Sequence, residues 1–219
     1  MINELVEIDS KNEEILKLIL SKFKNFDDFF INIKEHFIKE ELLYDNINEN
    51  DPNYDICFNG LIKVVDDYFF NPYNTEVDKD FLSHINNLIM GEENFRTKNI
   101  IHRHFLHEIS DHKKINSEID ELFVSLKNNN FTTLENYTFL IYHLFKTYPY
   151  FNGLSIRTIG NIYLLKNDYL PLVLSSKFKS EYYYMFQYDF PRFKKSFLKL
   201  ILKNLDLILK SLGTTEWII

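Results

Sequence analysis

The chain has 219 residues, 45% of them hydrophobic, enough for one domain with a buried core. Its net charge is -7 and its sequence pI about 5.5, so a general nucleic-acid or anionic-membrane role is disfavoured, because both want a basic face. A single cysteine, Cys57, excludes an internal disulfide and a multi-cysteine metal site.

No apolar run approaches the roughly 20 residues of a membrane span, and no signal peptide opens the chain. The expected compartment is the cytoplasm, or a host cytosol. Alanine is absent while Ile, Asn and Lys abound, a bias typical of AT-rich coding, so Asn and Lys runs carry little functional weight.

The elements follow in order. Asp9 or Ser10 is placed to cap a first helix, with Glu13 as capping-box partner and Ile15, Leu16, Ile19, Leu20 and Phe23 on one face. Asn25 breaks it. A second helix carries Phe29, Phe30, Ile33, Phe37 and Ile38 and reaches about Tyr44. The stretch 45–52 is polar and turn-rich. A third helix spans 53–70 and stops before Pro72, with Cys57 on it as an inert buried thiol. Asp78 to Met90 is a helix with Gly91 as its C-cap.

Segment 99–109 is the one candidate for strand. There Ile100, Ile101, Phe105, Leu106 and Ile109 interleave with His102, Arg103, His104 and His107. Those histidines and His112 lack the convergent ligand spacing of a zinc site, so a polar hairpin partly charged below neutral pH is the better reading and no metal is expected. Helices follow over 113–127 and 131–148. The next, 155–168, is apolar nearly all round and therefore central. A helix over 177–188 and a last one with Pro191 in its first turn complete a mainly α chain of eight or nine helices.

The stretch from Phe139 to Leu174 organises the rest. An apolar helix runs into Tyr148-Pro149-Tyr150, then a short loop with Asn152-Gly153, then the N-terminus of a second apolar helix with Arg157 in its first turns. The free amides and dipole of such a helix start favour an anion, and a glycine lets backbone come close to one. This stretch resembles the Fic (Fido-domain) signature H-P-F-x-[D/E]-G-N-G-R-x-x-R. Tyr148-Pro149-Tyr150 stands at the His-Pro-Phe, Asn152-Gly153 at the Asn-Gly, Leu154 at the first arginine and Arg157 at the second. Asn161 and Tyr169-Leu170-Pro171 fit the helix Asn and Tyr-Pro-Pro that follow. The loop is two residues short, at the acidic residue and the first glycine.

Two more features are similar to that family. Asp45-x-x-x-Glu49-Asn50 has the shape of its inhibitory helix ending, [S/T]-x-x-x-E-[G/N], whose Glu pairs with the second motif arginine. Phe95-Arg96-Thr97-Lys98-Asn99-Ile100-Ile101 resembles the run into its β-hairpin flap, with Arg96, Thr97, Ile100 and Ile101 as flap residues. The resemblance covers about 45–184 and implies a Fic-like helical domain with one small hairpin over 1–219. Within it, 1–52 would be N-terminal helices with the inhibitory segment, 53–190 the core and 191–219 the C-terminal helix.

In the family the motif His takes a proton from a target hydroxyl, the loop and arginines hold ATP phosphates, and an acidic residue holds Mg²⁺. Here Tyr148 replaces the base, and a phenol of pKa about 10 accepts protons poorly at pH 7. Losing a general base costs about 10²–10⁴ in rate. Leu154 brings no charge, and Asn152 is a poor Mg²⁺ anchor beside a carboxylate. The expectation is a degenerate member, inactive in AMP transfer and acting as a protein-binding or regulatory module through flap and cleft. The alternative is a transferase that moves AMP or another phosphate-containing group through a remodelled site, using ATP and Mg²⁺. Asn152, Gly153 and Arg157 would hold an anion. A salt bridge from Arg157 to Glu49, tying N-terminal helices to the core, competes with that use.

Overall fold

The computed structural model describes residues 2–100, 109–150, 152–172, 174 and 176–213. The first helix, α1, runs Ile2–Lys22, past the expected start. Asp9 and Ser10 sit exposed in mid-helix, because the apolar period of Leu5, Ile8, Ile15 and Ile19 extends upstream of them and overrides a local capping signal. Helix α2, Phe26–Tyr44, is capped by Asn25, whose side chain accepts from Asp28 N at 2.8 Å. It ends in a turn in which Asn46 takes φ 61° and Ile47 N donates back to Leu42 O.

Helix α3, Tyr54–Val64, runs on into a π turn, Val65–Phe69, before Pro72. Helix α4, Lys79–Met90, starts on the Asp78 cap and stops at Gly91, φ 73°. The two helices meet backbone to backbone at Gly60, where a Cβ would fall 2.3 Å from the Leu88 carbonyl oxygen. Cys57 is buried there with its Sγ 3.3 Å from Met90 Sδ, and burial pushes its thiol up to about 11. Helix α5 is Ile115–Asn128, and α6 is Thr133–Thr147, opened by a full capping box of Thr132 and Glu135.

Helix α7, Leu154–Lys166, is the expected central helix, with neighbours on every side and almost all of its side chains buried. Helices α8, Lys179–Met185, and α9, Phe190–Gly213, follow, and α9 lies along α1 and α6. The core is aromatic where α6, α8 and α9 meet: Phe145, Tyr182, Phe186, Phe193 and Phe197 pack at ring distances near 5 Å. Buried Asn161 of α7 accepts from Leu172 N at 2.8 Å, and Asn12 of α1 accepts from Leu170 N at 3.0 Å. Together they hold the segment around Pro171.

The described residues form nine α-helices and no strand. The expected hairpin falls mostly on 101–108, outside the described residues, and Asn99, Ile100 and Ile109 at its edges are not strand.

Candidate functional site

Helix α6 ends and α7 begins within a few residues, so the loop between them is held from both sides. Tyr148 is the C-cap of α6 in the left-handed region, φ 44°, with its N–H on Leu144 O at 2.7 Å. A bulky residue avoids that region unless its surroundings impose it. Here the ring is 3% exposed beside Phe145, and the carbonyls around it are tied down by Arg96.

Arg96 is not on an exposed flap surface. It is buried, and its guanidinium donates to the carbonyls of Tyr148 (2.8 Å), Thr147 (3.1 Å), Lys98 (2.8 Å) and Ser110. Its own N–H donates to Pro149 O at 2.8 Å. It therefore caps α6 and clamps both sides of the 99–109 segment onto that helix end, a use that suits five donors in a fixed fork. Thr97 is exposed and Ile100 half-buried; Ile101 lies outside the described residues.

After the turn, Tyr150 points into the core and its hydroxyl donates to Ser83 Oγ at 3.0 Å. Asn152 is fully occupied by the fold. Its Oδ1 accepts from Ser155 N at 3.1 Å, capping α7, and its Nδ2 donates to Asn86 Oδ1 at 3.2 Å. Ser155 Oγ donates to the same Asn86 Oδ1 at 2.7 Å, while Asn86 Nδ2 holds Glu92 O. Buried Asn86 of α4 thus locks the loop and was not legible as a site residue. Gly153 has an ordinary φ of -91°, so space rather than conformation demands glycine. A Cβ there would sit 3.1 Å from Arg157 Nη1 and 3.2 Å from the Phe145 ring. The group that comes close to this glycine is the chain's own guanidinium.

Arg157 is 5% exposed. Its Nε donates to Glu41 Oε2 at 2.8 Å, its Nη1 to Asp45 Oδ1 at 3.2 Å and its Nη2 to the Glu41 carbonyl at 3.1 Å. Its Cζ lies 4.7 Å from the centre of the Tyr44 ring. Burial works against its charge, but Asp45 and Glu41 outweigh that and raise its pKa well above the ordinary value. Tyr183 adds a hydroxyl donated to Asp45 at 3.3 Å. Tyr148 faces the same group of charges. Burial first, then the negative charge of Asp45, pushes its phenol pKa far above the usual range.

The expected partner of Arg157 is corrected here. Glu49 is exposed on the turn beyond α2, and the carboxylates that meet Arg157 are Glu41 and Asp45, one turn apart on α2 and its cap. The resembling pattern recurs four residues earlier as Glu41-x-x-x-Asp45-Asn46, and Asn46 takes the positive φ that an Asn or Gly at that place permits. His112 is held by Asn99 and Asp111. No cluster of metal-ligating side chains exists among the described residues, and His102, His104 and His107 lie outside them.

No protein-family model and no curated protein sequence matches the chain. Solved structures do. A Fic-domain-containing signalling protein from Bacteroides thetaiotaomicron superposes with a TM-score of 0.74 at 13% identity, over 96% of this chain and 100% of that one. The fold is the Fic fold. A Fic family protein from Desulfovibrio desulfuricans gives 0.71 at 13% identity, over 97% and 76% of the two chains. Fic-1 from C. elegans gives 0.72 at 11% identity, over 97% and 73%. The turn between α6 and α7 is the stretch whose sequence resembles the Fic motif loop, and the end of α2 lies against Arg157 beside it.

At the loop Asn152 is already bonded to Ser155 and Asn86. Leu154 is wholly buried, and Arg157 is taken by two carboxylates.

Proposed function

We propose that this chain is a Fic-fold protein that does not transfer AMP and works as a protein-binding or regulatory module. The observation that carries the reading is the engagement of Arg157. The Arg157 guanidinium donates to α2 and its cap, so a phosphate entering there would meet Glu41 and Asp45 before it met the guanidinium. The phenol at the base position adds to this. Tyr148 is buried and harder to deprotonate than a free tyrosine, so it neither reaches a target hydroxyl nor accepts its proton. A partner would be a protein, bound at the rim of the loop where Thr97 and Ile100 lie.

One observation favours the alternative, a transferase with a remodelled site. The arginine and the helix start are still together, and the groups that cover them come from α2 rather than from the loop itself. Incubation of the purified protein with labelled ATP and Mg²⁺ separates the two. No self-labelling is expected from the wild type or from Asp45→Ala, and none from Tyr148→His unless the loop reopens. Labelling of the wild-type chain or of a co-incubated protein overturns the pseudoenzyme reading.

A further inference from the structure

Helix α9 carries six basic residues and one acidic one in a chain whose net charge is -7. At about 100° per residue, Arg192, Lys195, Lys199, Lys203 and Lys210 fall within one narrow arc, opposite Phe193, Phe197, Leu200 and Ile201. All five are exposed, and the four apolar side chains are buried. The arc runs about 27 Å along the helix. Its one acidic member, Asp206, is paired with Lys11 of α1. Lys203 holds Glu181 of α8 at 2.9 Å. Lys195 and Lys210 enter no ion pair among the described residues, and Lys199 acts electrostatically on Glu4 of α1. At the start of the arc Arg192 Cζ lies 3.9 Å from the Tyr188 ring, and Tyr188 meets Tyr184 edge-on at 5.6 Å. Tyr184 is 53% exposed.

We propose that this outer face of α9 is a docking track for an acidic segment of a partner protein. The fitting segment is a helix with Asp or Glu at i, i+4 spacing and an aromatic or apolar residue at the end that meets Tyr184. The width of the track selects this occupant. Charges act over a Debye length of about 8 Å at physiological salt, so a ligand no wider than one helix feels chiefly the basic arc, whose near acids Asp206 and Glu181 are already paired with Lys11 and Lys203. A membrane plane or a nucleic-acid duplex laid on α9 would extend past the arc to the exposed Glu7 of α1, which neighbours Lys11 beside Asp206. Lysines on flexible stems act as separate point charges and suit a row of carboxylates about 5.4 Å apart, the pitch of a helix. The exposed tyrosine step at one end gives the track a direction.

The test is fluorescence anisotropy with the full chain and a labelled helical peptide bearing glutamates at i, i+4 and one terminal tryptophan. Binding is expected to weaken about tenfold between about 50 and 300 mM NaCl. It should fall at least tenfold, again about 1.4 kcal/mol, when glutamines replace the peptide's glutamates. The triple variant Lys195→Glu, Lys199→Glu, Lys210→Glu should lose binding with an unchanged circular dichroism spectrum. Should that variant unfold, the Lys→Gln triple is expected to weaken binding about tenfold instead. No binding at low salt, or binding indifferent to these changes, overturns the proposal. So does capture by phosphatidylserine vesicles that depends on the same lysines while the peptide fails to bind.

Discussion

Replacement of Arg157 by methionine is the sharpest perturbation of the motif loop. Methionine keeps the stem and removes the guanidinium, which leaves Glu41 buried, its side chain 3% exposed, with no counter-charge. Asp45 loses one of its two donors and keeps the Tyr183 hydroxyl. Breaking a buried ion pair from one side costs about 3–5 kcal/mol. For a chain of this size each kcal/mol moves the melting temperature by about 2–4 °C, so a fall of about 6–20 °C is expected. The double variant Arg157→Met, Glu41→Leu removes the stranded carboxylate as well. It should regain at least half of the loss, because apolar groups of similar volume replace such pairs at little cost. Glu49→Ala should stay within about 0.5 kcal/mol of the wild type, since Glu49 is exposed. Urea unfolding at pH 7 measures all three. A single variant within 1 kcal/mol of wild type, or a double variant no more stable than the single, would refute the view that the pair is closed and dry.

Three further outcomes follow. His143 sits among the rings of Phe139, Tyr142 and Phe190, and burial, helped by Lys146, pushes its pKa down to about 4. The unfolded chain binds that proton near pH 6.5, so the stabilising effect is full above 6.5 and fades as pH falls toward 4. About 2–3 kcal/mol should be lost over that window, and His143→Phe should flatten this part of a urea-unfolding profile. Gly60→Ala pushes against the Leu88 backbone and should cost about 2–3 kcal/mol. Gly160→Ala meets the movable Ile141 Cδ1 and gains helix propensity, so it should cost less than half as much by the same assay. Arg96→Lys can reach only part of the four carbonyls now bonded, and should cost about 2–3 kcal/mol and speed amide exchange at Ser110 and Tyr148.

Helix periods carried most of the fold into the sequence. Asn25, Asp78, Gly91 and the Asn/Gly loop fell where caps and turns are needed, and the all-round apolar pattern of 155–168 marked the central helix. The start of α1 was hidden because Asp9 and Ser10 look like caps, while the apolar rows that overrule them are tertiary in origin. The site was half visible. Gly153 lies against the Arg157 guanidinium, yet Glu41 reads as one more charge on an amphipathic helix until α7 is laid against it. Asn86 was invisible for the same reason: its role exists only where α4 meets the loop.

Whether α2 blocks the loop permanently or as a switch turns on what withdrawing it would cost. Phe37, Ile38, Leu42 and Tyr44 precede or flank the two carboxylates on that helix, and all four are buried. Exposing each costs about 1.5–3 kcal/mol, so pulling the last turns of α2 away costs at least about 6 kcal/mol before the ion pair is counted. Coupling between a ligand and a second site is typically about 1–3 kcal/mol. A nucleotide or partner acting with that force cannot lift the helix; it can at most turn the side chains of Glu41 and Asp45. Glu41 has no room to turn, being buried with its carboxylate and its own carbonyl both bonded to Arg157, whereas Asp45 stands at the edge, 10% exposed. Any opening would therefore free one of the two carboxylates and leave the other in place. The guanidinium would still be neutralised by Glu41.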